Sequence, residues 1–174
     1  MAVVEVRREG SGDEDAVREV HRAAFAVESN DPPVETALLD RLRADPAWLP
    51  RLSLVAVVDG EVAGHVVATR ATIEPSGLPV LGLGPLGVLP RRQRRGVGTA
   101  LVHALLGAAE ARDETLVGVL GEPAYYGRFG FVAATEAGVT PPDPAWGPYF
   151  QVRSLVGPIP TGRFRYATPF DELG

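Results

Sequence analysis

The chain has 174 residues, 45% hydrophobic and 22% charged, the balance of one globular domain spanning 1–174. It has no cysteine and only three scattered histidines, His21, His65 and His103, which excludes disulfides, a cysteine nucleophile and any metal site of HxxxH or HExxH spacing. A net charge of −5 counts against a nucleic-acid partner, and without a signal-peptide pattern or an apolar run of spanning length a soluble, cytoplasmic protein with no membrane partner is expected.

Ala2 to Arg8 reads as a first strand. Ser11 and Glu14 have capping-box spacing and open a helix whose apolar residues Val17, Val20, Ala24 and Phe25 recur at helical intervals. Asp31-Pro32-Pro33 starts a second helix, with Leu38, Leu39 and Leu42 on its buried face. Leu52 to Val58 and Glu61 to Arg70 are strands joined by the two-residue turn Asp59-Gly60. Val80 to Leu89 is a strand interrupted by Gly82, Gly84, Pro85 and Gly87, a pattern that predicts a bulge or a broken ladder. The next helix buries Val97, Ala100, Leu101, Ala104, Leu105 and Ala108. Thr115 to Leu120 is a strand, the proline-bearing stretch Thr135 to Pro148 a loop, and Phe150 to Val156 and Arg163 to Ala167 the last two strands.

The most informative segment is the turn Gln93-Arg94-Arg95-Gly96-Val97-Gly98-Thr99. It sets two glycines and several backbone N–H groups at a helix N-terminus, where unsatisfied donors and the positive end of the dipole suit a phosphate. Glycine lets the main chain approach an anion that a side chain would hold away. The Walker pattern fails, because all seventeen basic residues are arginine and the chain has no lysine. The Rossmann pattern fails for want of a third glycine after Gly98. Arg91, Arg92, Arg94 and Arg95 are either an electrostatic collar for phosphates or a solvated basic turn, and no aromatic residue interleaves with them to stack bases.

Gln93, Gly96 and Gly98 match the [QR]-x-x-G-x-[GA] acetyl-CoA motif, and Tyr126-Gly127-Arg128-Phe129-Gly130-Phe131 matches a Tyr-x-x-x-Gly-Phe element one helix and one strand later. On these residues the chain resembles the GNAT N-acetyltransferase superfamily, and EPAYYGRFGF is similar to its YhbS-type bacterial subgroup. The resemblance implies an α/β GNAT fold, a mostly antiparallel mixed sheet with a splayed, bulged strand and flanking helices. It implies acetyl-CoA as cosubstrate, held by main-chain groups of Leu86, Gly87 and Val88 and by Gln93, Arg94, Arg95, Gly96, Val97, Gly98 and Thr99. It implies an amine acceptor, small molecule or protein, no metal, and leaves a homodimer open.

Acetyl transfer from a thioester to an amine needs a neutral amine, a polarised carbonyl and a proton for the departing thiolate. Tyr126 matches the tyrosine that lies beside the coenzyme sulfur in relatives, and a phenol near pKa ~10 can protonate a thiolate of conjugate acid near ~8.5. Tyr125, Phe129 and Phe131 read as packing residues. No carboxylate lies in residues 80–89, where many relatives carry a glutamate, so Glu28, Glu35, His65 and Glu122 remain as bases and none is assigned. Without a cysteine or a GxSxG elbow, the expected reaction is direct transfer in a ternary complex. A non-catalytic acyl-CoA sensor on the same fold is the alternative, favoured by the missing strand glutamate and opposed by Tyr126. A nucleic-acid regulator acting through the arginine turn is a third reading.

Overall fold

The computed structural model describes residues 2–26 and 31–173. Strand β1 (Val4–Arg8) leads to helices α1 (Glu14–Ala24) and α2 (Val34–Arg43), then to strands β2 (Ser53–Val58), β3 (Glu61–Glu74) and β4 (Leu78–Val88). Helix α3 (Val97–Ala111) and β5 (Leu116–Leu120) follow, then the single-turn α4 (Pro123–Tyr126). The chain closes with β6 (Val132–Ala133), β7 (Val139–Thr140), β8 (Phe150–Ser154) and β9 (Gly162–Arg165). One sheet takes the order β1-β2-β3-β4-β5-β8-β6, with β9 pairing both β3 and β7. Its ladders are antiparallel except β4–β5 and β7–β9. This is the mixed, mostly antiparallel sheet that the sequence predicts.

Period-two alternation assigns the faces. Leu54, Ala56, Val66 and Ala68 pack with Leu101 and Leu105 of α3, whereas Val55 and Val67 pack with Val17 of α1 and Leu39 of α2 on the opposite face. The Asp59-Gly60 turn has positive φ at both residues, 51° and 77°, the geometry that a tight two-residue hairpin needs. Leu38, Leu39 and Leu42 are buried as expected. Three local expectations shift. The capping box falls one residue early and closes a 3-10 turn, Ser11–Asp13, that leads into α1: Asp13 accepts from the Gly10 amide at 2.7 Å, and its bond to Arg7 at 2.7 Å holds it there. The buried stripe of α3 is rotated towards Val102, Leu106 and Ala109, because the helix faces β1–β3 as well as β4. Residues 135–148 contain β7, and β6 precedes them; strands of two residues are too short to show alternation.

The irregularity of β4 positions the site. Val66 pairs with Leu86 but Ala68 pairs with Leu83, so β4 holds one residue more than β3 across Gly84-Pro85, a bulge where proline and glycine predict one. On its other edge β4 pairs with β5 only at Leu81–Val117 and Gly82–Gly118. Beyond that point the strands part, and the β5-facing main chain of residues 83–88 has no strand partner among the described residues. A Cβ at Gly82 would lie 2.7 Å from the Tyr166 ring, and one at Gly118 would lie 2.6 Å from the Phe164 ring. These glycines therefore admit two aromatic rings against the sheet, of which Tyr166 reaches the cleft.

Candidate active site

Between the splayed ends of β4 and β5 and the start of α3 runs a groove of about 800 Å³. Leu86, Gly87 and Val88 form one wall, and Gln93, Arg94, Gly96, Gly98 and Thr99 form its end. Arg94 and Gly96 both have left-handed backbone ahead of α3, φ 60° and 84°, and left-handed residues set among right-handed ones are the pattern of backbone anion-binding concavities. A Cβ at Gly96 meets no protein atom within 4 Å, whereas one at Gly98 would stand 2.6 Å from Tyr125 Oη. Gln93 Nε2 donates to the Val88 carbonyl at 3.1 Å and so ties the turn to the end of β4. The fit to a phosphate-bearing ligand rests on these open donors at a fifteen-residue helix start.

Two predicted binding residues are not brought to the groove by their side chains. Val97 is buried against Gly64 in the core, and Arg95 turns to a separate depression beside β1. The arginine cluster also divides. Arg91 pairs with Glu61, and Arg92 with Asp59 and Glu61, so both are already balanced by β2–β3 turn carboxylates. Arg94 lines the groove, joined by Arg128, whose guanidinium lies 4.7 Å from the Tyr125 ring centre and 3.5 Å from Thr99 Oγ1.

Across the cleft lies a second cavity of about 490 Å³. Its walls carry Tyr126, Trp146, Tyr166 and Phe170, and three carboxylates, Glu35, Asp143 and Asp171, stand among them. Phe25 and Leu86 line both the groove and this cavity, so the two spaces meet at the bulge of β4.

The profile of the Acetyltransferase (GNAT) domain matches residues 5–134, most of the chain and all of the groove. The chain belongs to the GNAT acetyltransferase family. Among similar proteins, the uncharacterized N-acetyltransferase YjhQ of Escherichia coli is 34% identical over 91% of this chain and 88% of its own length. The uncharacterized N-acetyltransferase YhbS of Escherichia coli is 32% identical over 70% of this chain and 72% of its own. The structure of YhbS in complex with CoA superposes with a TM-score of 0.87 at 28% identity, over 100% of this chain and 95% of that one. A GNAT acetyltransferase from Brucella melitensis in complex with acetyl-CoA gives a TM-score of 0.79 at 33% identity, over 97% of this chain and 99% of that one.

In this GNAT domain the paired tyrosines divide between the two spaces. Tyr125 lines the groove and Tyr126 the second cavity, their rings edge to face at 5.0 Å. Burial raises both phenols above their ordinary range, more so for Tyr126, to which Tyr125 adds; Arg128 opposes the rise at Tyr125. Of the four bases considered, Glu28 lies outside the described residues, Glu122 lines the groove and Glu35 the second cavity. His65 is fully buried.

His65 belongs to a buried polar chain that sequence reasoning missed. His21 Nε2 lies 2.8 Å from His65 Nδ1, and His65 Nε2 lies 2.8 Å from Ser53 Oγ and 3.2 Å from Glu9 Oε2. Ser53 donates to Glu9, and Arg43 pairs with the same carboxylate. Burial would raise the Glu9 carboxyl, but hydrogen bonds from His65, Ser53 and Arg43 outweigh it and hold it at about 2. Burial, with smaller contributions from His65 and Arg43, pushes His21 down to about 3, and burial also lowers His65. The only signals in the sequence were a histidine within the buried stripe of α1 and another facing it from β3.

These shifts act in one direction on stability. Between about pH 6.5 and 3 the unfolded His21 binds a proton that the native ring refuses, and between about 4.5 and 2 the unfolded Glu9 does the same. Stability is therefore expected to fall as pH drops below about 6.5, well before ordinary carboxylates titrate. Urea unfolding at pH 7, 6 and 5 checks it. The midpoint falls progressively in the wild type and falls less between pH 6.5 and 5 in His21→Gln, whereas a flat wild-type profile over that range contradicts the assignment.

Proposed function

We propose that the protein is a cytoplasmic N-acetyltransferase that moves the acetyl group of acetyl-CoA directly to an amine. The observation that carries this reading is the meeting of the phosphate-suited groove and the aromatic, acidic cavity at Phe25 and Leu86. Coenzyme A enters along β4, its pyrophosphate on the Gly96–Thr99 turn and Arg94 and Arg128 beside it. The thioester then lies at the bulge, where main-chain N–H groups on the β5-facing edge of Leu86–Val88 polarise its carbonyl. The acceptor comes from the opposite side. Glu35, Asp143 and Asp171 attract a cationic amine, and Trp146, Tyr166 and Phe170 cover an apolar body. The amine nitrogen bonds to the acetyl carbon, the C–S bond breaks, and Tyr126, which burial keeps protonated, gives its proton to sulfur.

Thiol release from acetyl-CoA across a panel of amines tests the function. Primary amines with apolar or aromatic bodies are expected to release thiol faster than anionic amines of equal size. Tight acetyl-CoA binding with no thiol release on any amine would identify a sensing module instead.

A further inference from the structure

We propose that His21, His65 and Glu9 form a proton relay that carries the acceptor amine's proton from the bulge of β4, through the protein, to solvent on the far side of α1. The proposal rests on the acetyltransferase reading above. It starts from one atom: His21 Nδ1 is buried and has no hydrogen-bond partner among the described residues. It is also not placed at random. A Cβ at Gly87 would lie 2.8 Å from it, so the ring rests against the bare main chain of the strand that walls the groove. Glycine at 87 is what permits that contact. On its other side the ring stacks nearly parallel to Phe25, with centres 5.9 Å apart, and Phe25 lines both groove and acceptor cavity.

The chain has a direction. Glu9 is an anion and Ser53 already donates to it, so His65 Nε2 carries a hydrogen and donates towards Ser53 and Glu9. His65 Nδ1 is then an acceptor, and His21 Nε2 must donate to it. That leaves His21 Nδ1 with a free lone pair, a base whose far end is an ionised carboxylate. Glu9 and Ser53 in turn line a small polar depression at the surface, with Arg43 and Glu14 at its rim. The charged and titratable groups around the rings are therefore Glu9 at the end of β1, His65 on β3 and Arg43 on α2. Strand β4 contributes none.

The proton count balances. An ammonium acceptor loses two protons on becoming an amide. One passes, through a water beside Phe25, to His21 Nδ1; the Nε2 hydrogen of His21 moves to His65 Nδ1, and that of His65 moves to Glu9 and on to solvent. The second replaces the hydrogen that Tyr126 gives to sulfur. Burial keeps both rings neutral at rest, so each passes its proton on in concert with the next rather than storing it.

Two measurements on the full chain decide it. Long-range proton–nitrogen NMR of the imidazoles should find His21 and His65 neutral at pH 7, each with its hydrogen on Nε2, with His21 not titrating above pH 5 and His65 titrating below the ordinary imidazole range. A hydrogen on His21 Nδ1, or titration of His21 near pH 6.5, overturns the relay. In kinetics with an amine that the wild type acetylates, His21→Gln and the more conservative Glu9→Gln should each lower kcat at pH 7 by about 10–10³-fold, the scale of positioned proton transfer. Acetyl-CoA affinity should stay within about 2-fold, since neither side chain enters the groove, and the acid limb of the rate profile should move up towards the amine's own pKa. Should His21→Gln fail to fold, Glu9→Gln and the NMR spectra carry the test. Folded variants with wild-type kcat and an unmoved profile sink the relay alone. Wild-type protein that binds acetyl-CoA but acetylates nothing sinks the acetyltransferase reading, and the relay with it.

Discussion

Gly96→Val is expected to abolish measurable acetyl-CoA binding while leaving a folded protein. Gly96 stands in left-handed backbone, φ 84°, immediately before α3, and its neighbour Arg94 does so at φ 60°. A β-branched residue there costs about 1–2 kcal/mol against the turn, a loss that a domain of this size survives. The protein has room for the side chain, with no atom within 4 Å of the new Cβ. What suffers is the aim of the backbone donors. Each charge-assisted hydrogen bond to phosphate is worth about 1.5–3 kcal/mol, so losing two weakens binding by roughly 10²–10⁴-fold. Gly96→Asn separates the causes, because asparagine tolerates the left-handed region. Affinity kept in Asn but lost in Val points to the conformation; affinity lost in both points to crowding. Isothermal titration with acetyl-CoA gives the answer, and a folded Gly96→Val protein with wild-type affinity removes the turn from coenzyme binding.

That turn was legible because its information is local. Two glycines, a helix start and a preceding broken strand lie within nineteen residues, and each has a backbone consequence that no distant contact is needed to produce. The β2–β3 hairpin was legible for the same reason, through Asp59-Gly60, and the bulge through Gly84-Pro85. The second cavity was not. Its aromatic wall is assembled from Phe25 after α1, Tyr126 on α4, and Trp146, Tyr166 and Phe170 near the C-terminus, and only the sheet order places them around one space. The buried polar chain was hidden likewise: His21 and His65 are 44 residues apart, and Glu9 lies beside Ser53 because β1 pairs with β2. Charge was only partly legible. Four arginines in five positions left a phosphate collar and a solvated turn both open, and the hairpin turn that β3 brings alongside supplies Asp59 and Glu61 to two of them. Sequence proximity to the site did not decide which charges face it.

Tyr126→Phe is expected to lower the rate of acetyl transfer by about 10²–10⁴-fold with acetyl-CoA affinity almost unchanged. The substitution keeps the ring that packs edge to face on Tyr125 at 5.0 Å and on Phe131 at 5.6 Å, so the fold loses little. It removes only the hydroxyl. Tyr126 lines the second cavity, and burial keeps its hydroxyl protonated at any working pH, the state that a proton donor to a leaving thiolate needs. The lower end of the range applies if water reaches the sulfur, since a thiolate is a tolerable leaving group. Tyr125→Phe is the informative partner. Tyr125 lines the coenzyme groove beside Gly98 and Arg128, so its change should appear in acetyl-CoA affinity and leave the rate at saturation near that of the wild type. Steady-state kinetics on both variants, with burst measurements to show that chemistry limits turnover, separates the two roles. A saturating rate that collapses in Tyr125→Phe and survives in Tyr126→Phe would transfer the acid role to the groove-side tyrosine. Survival in both would leave the thiolate to be protonated by solvent, and the two rings would then serve only to shape the meeting point of coenzyme and acceptor.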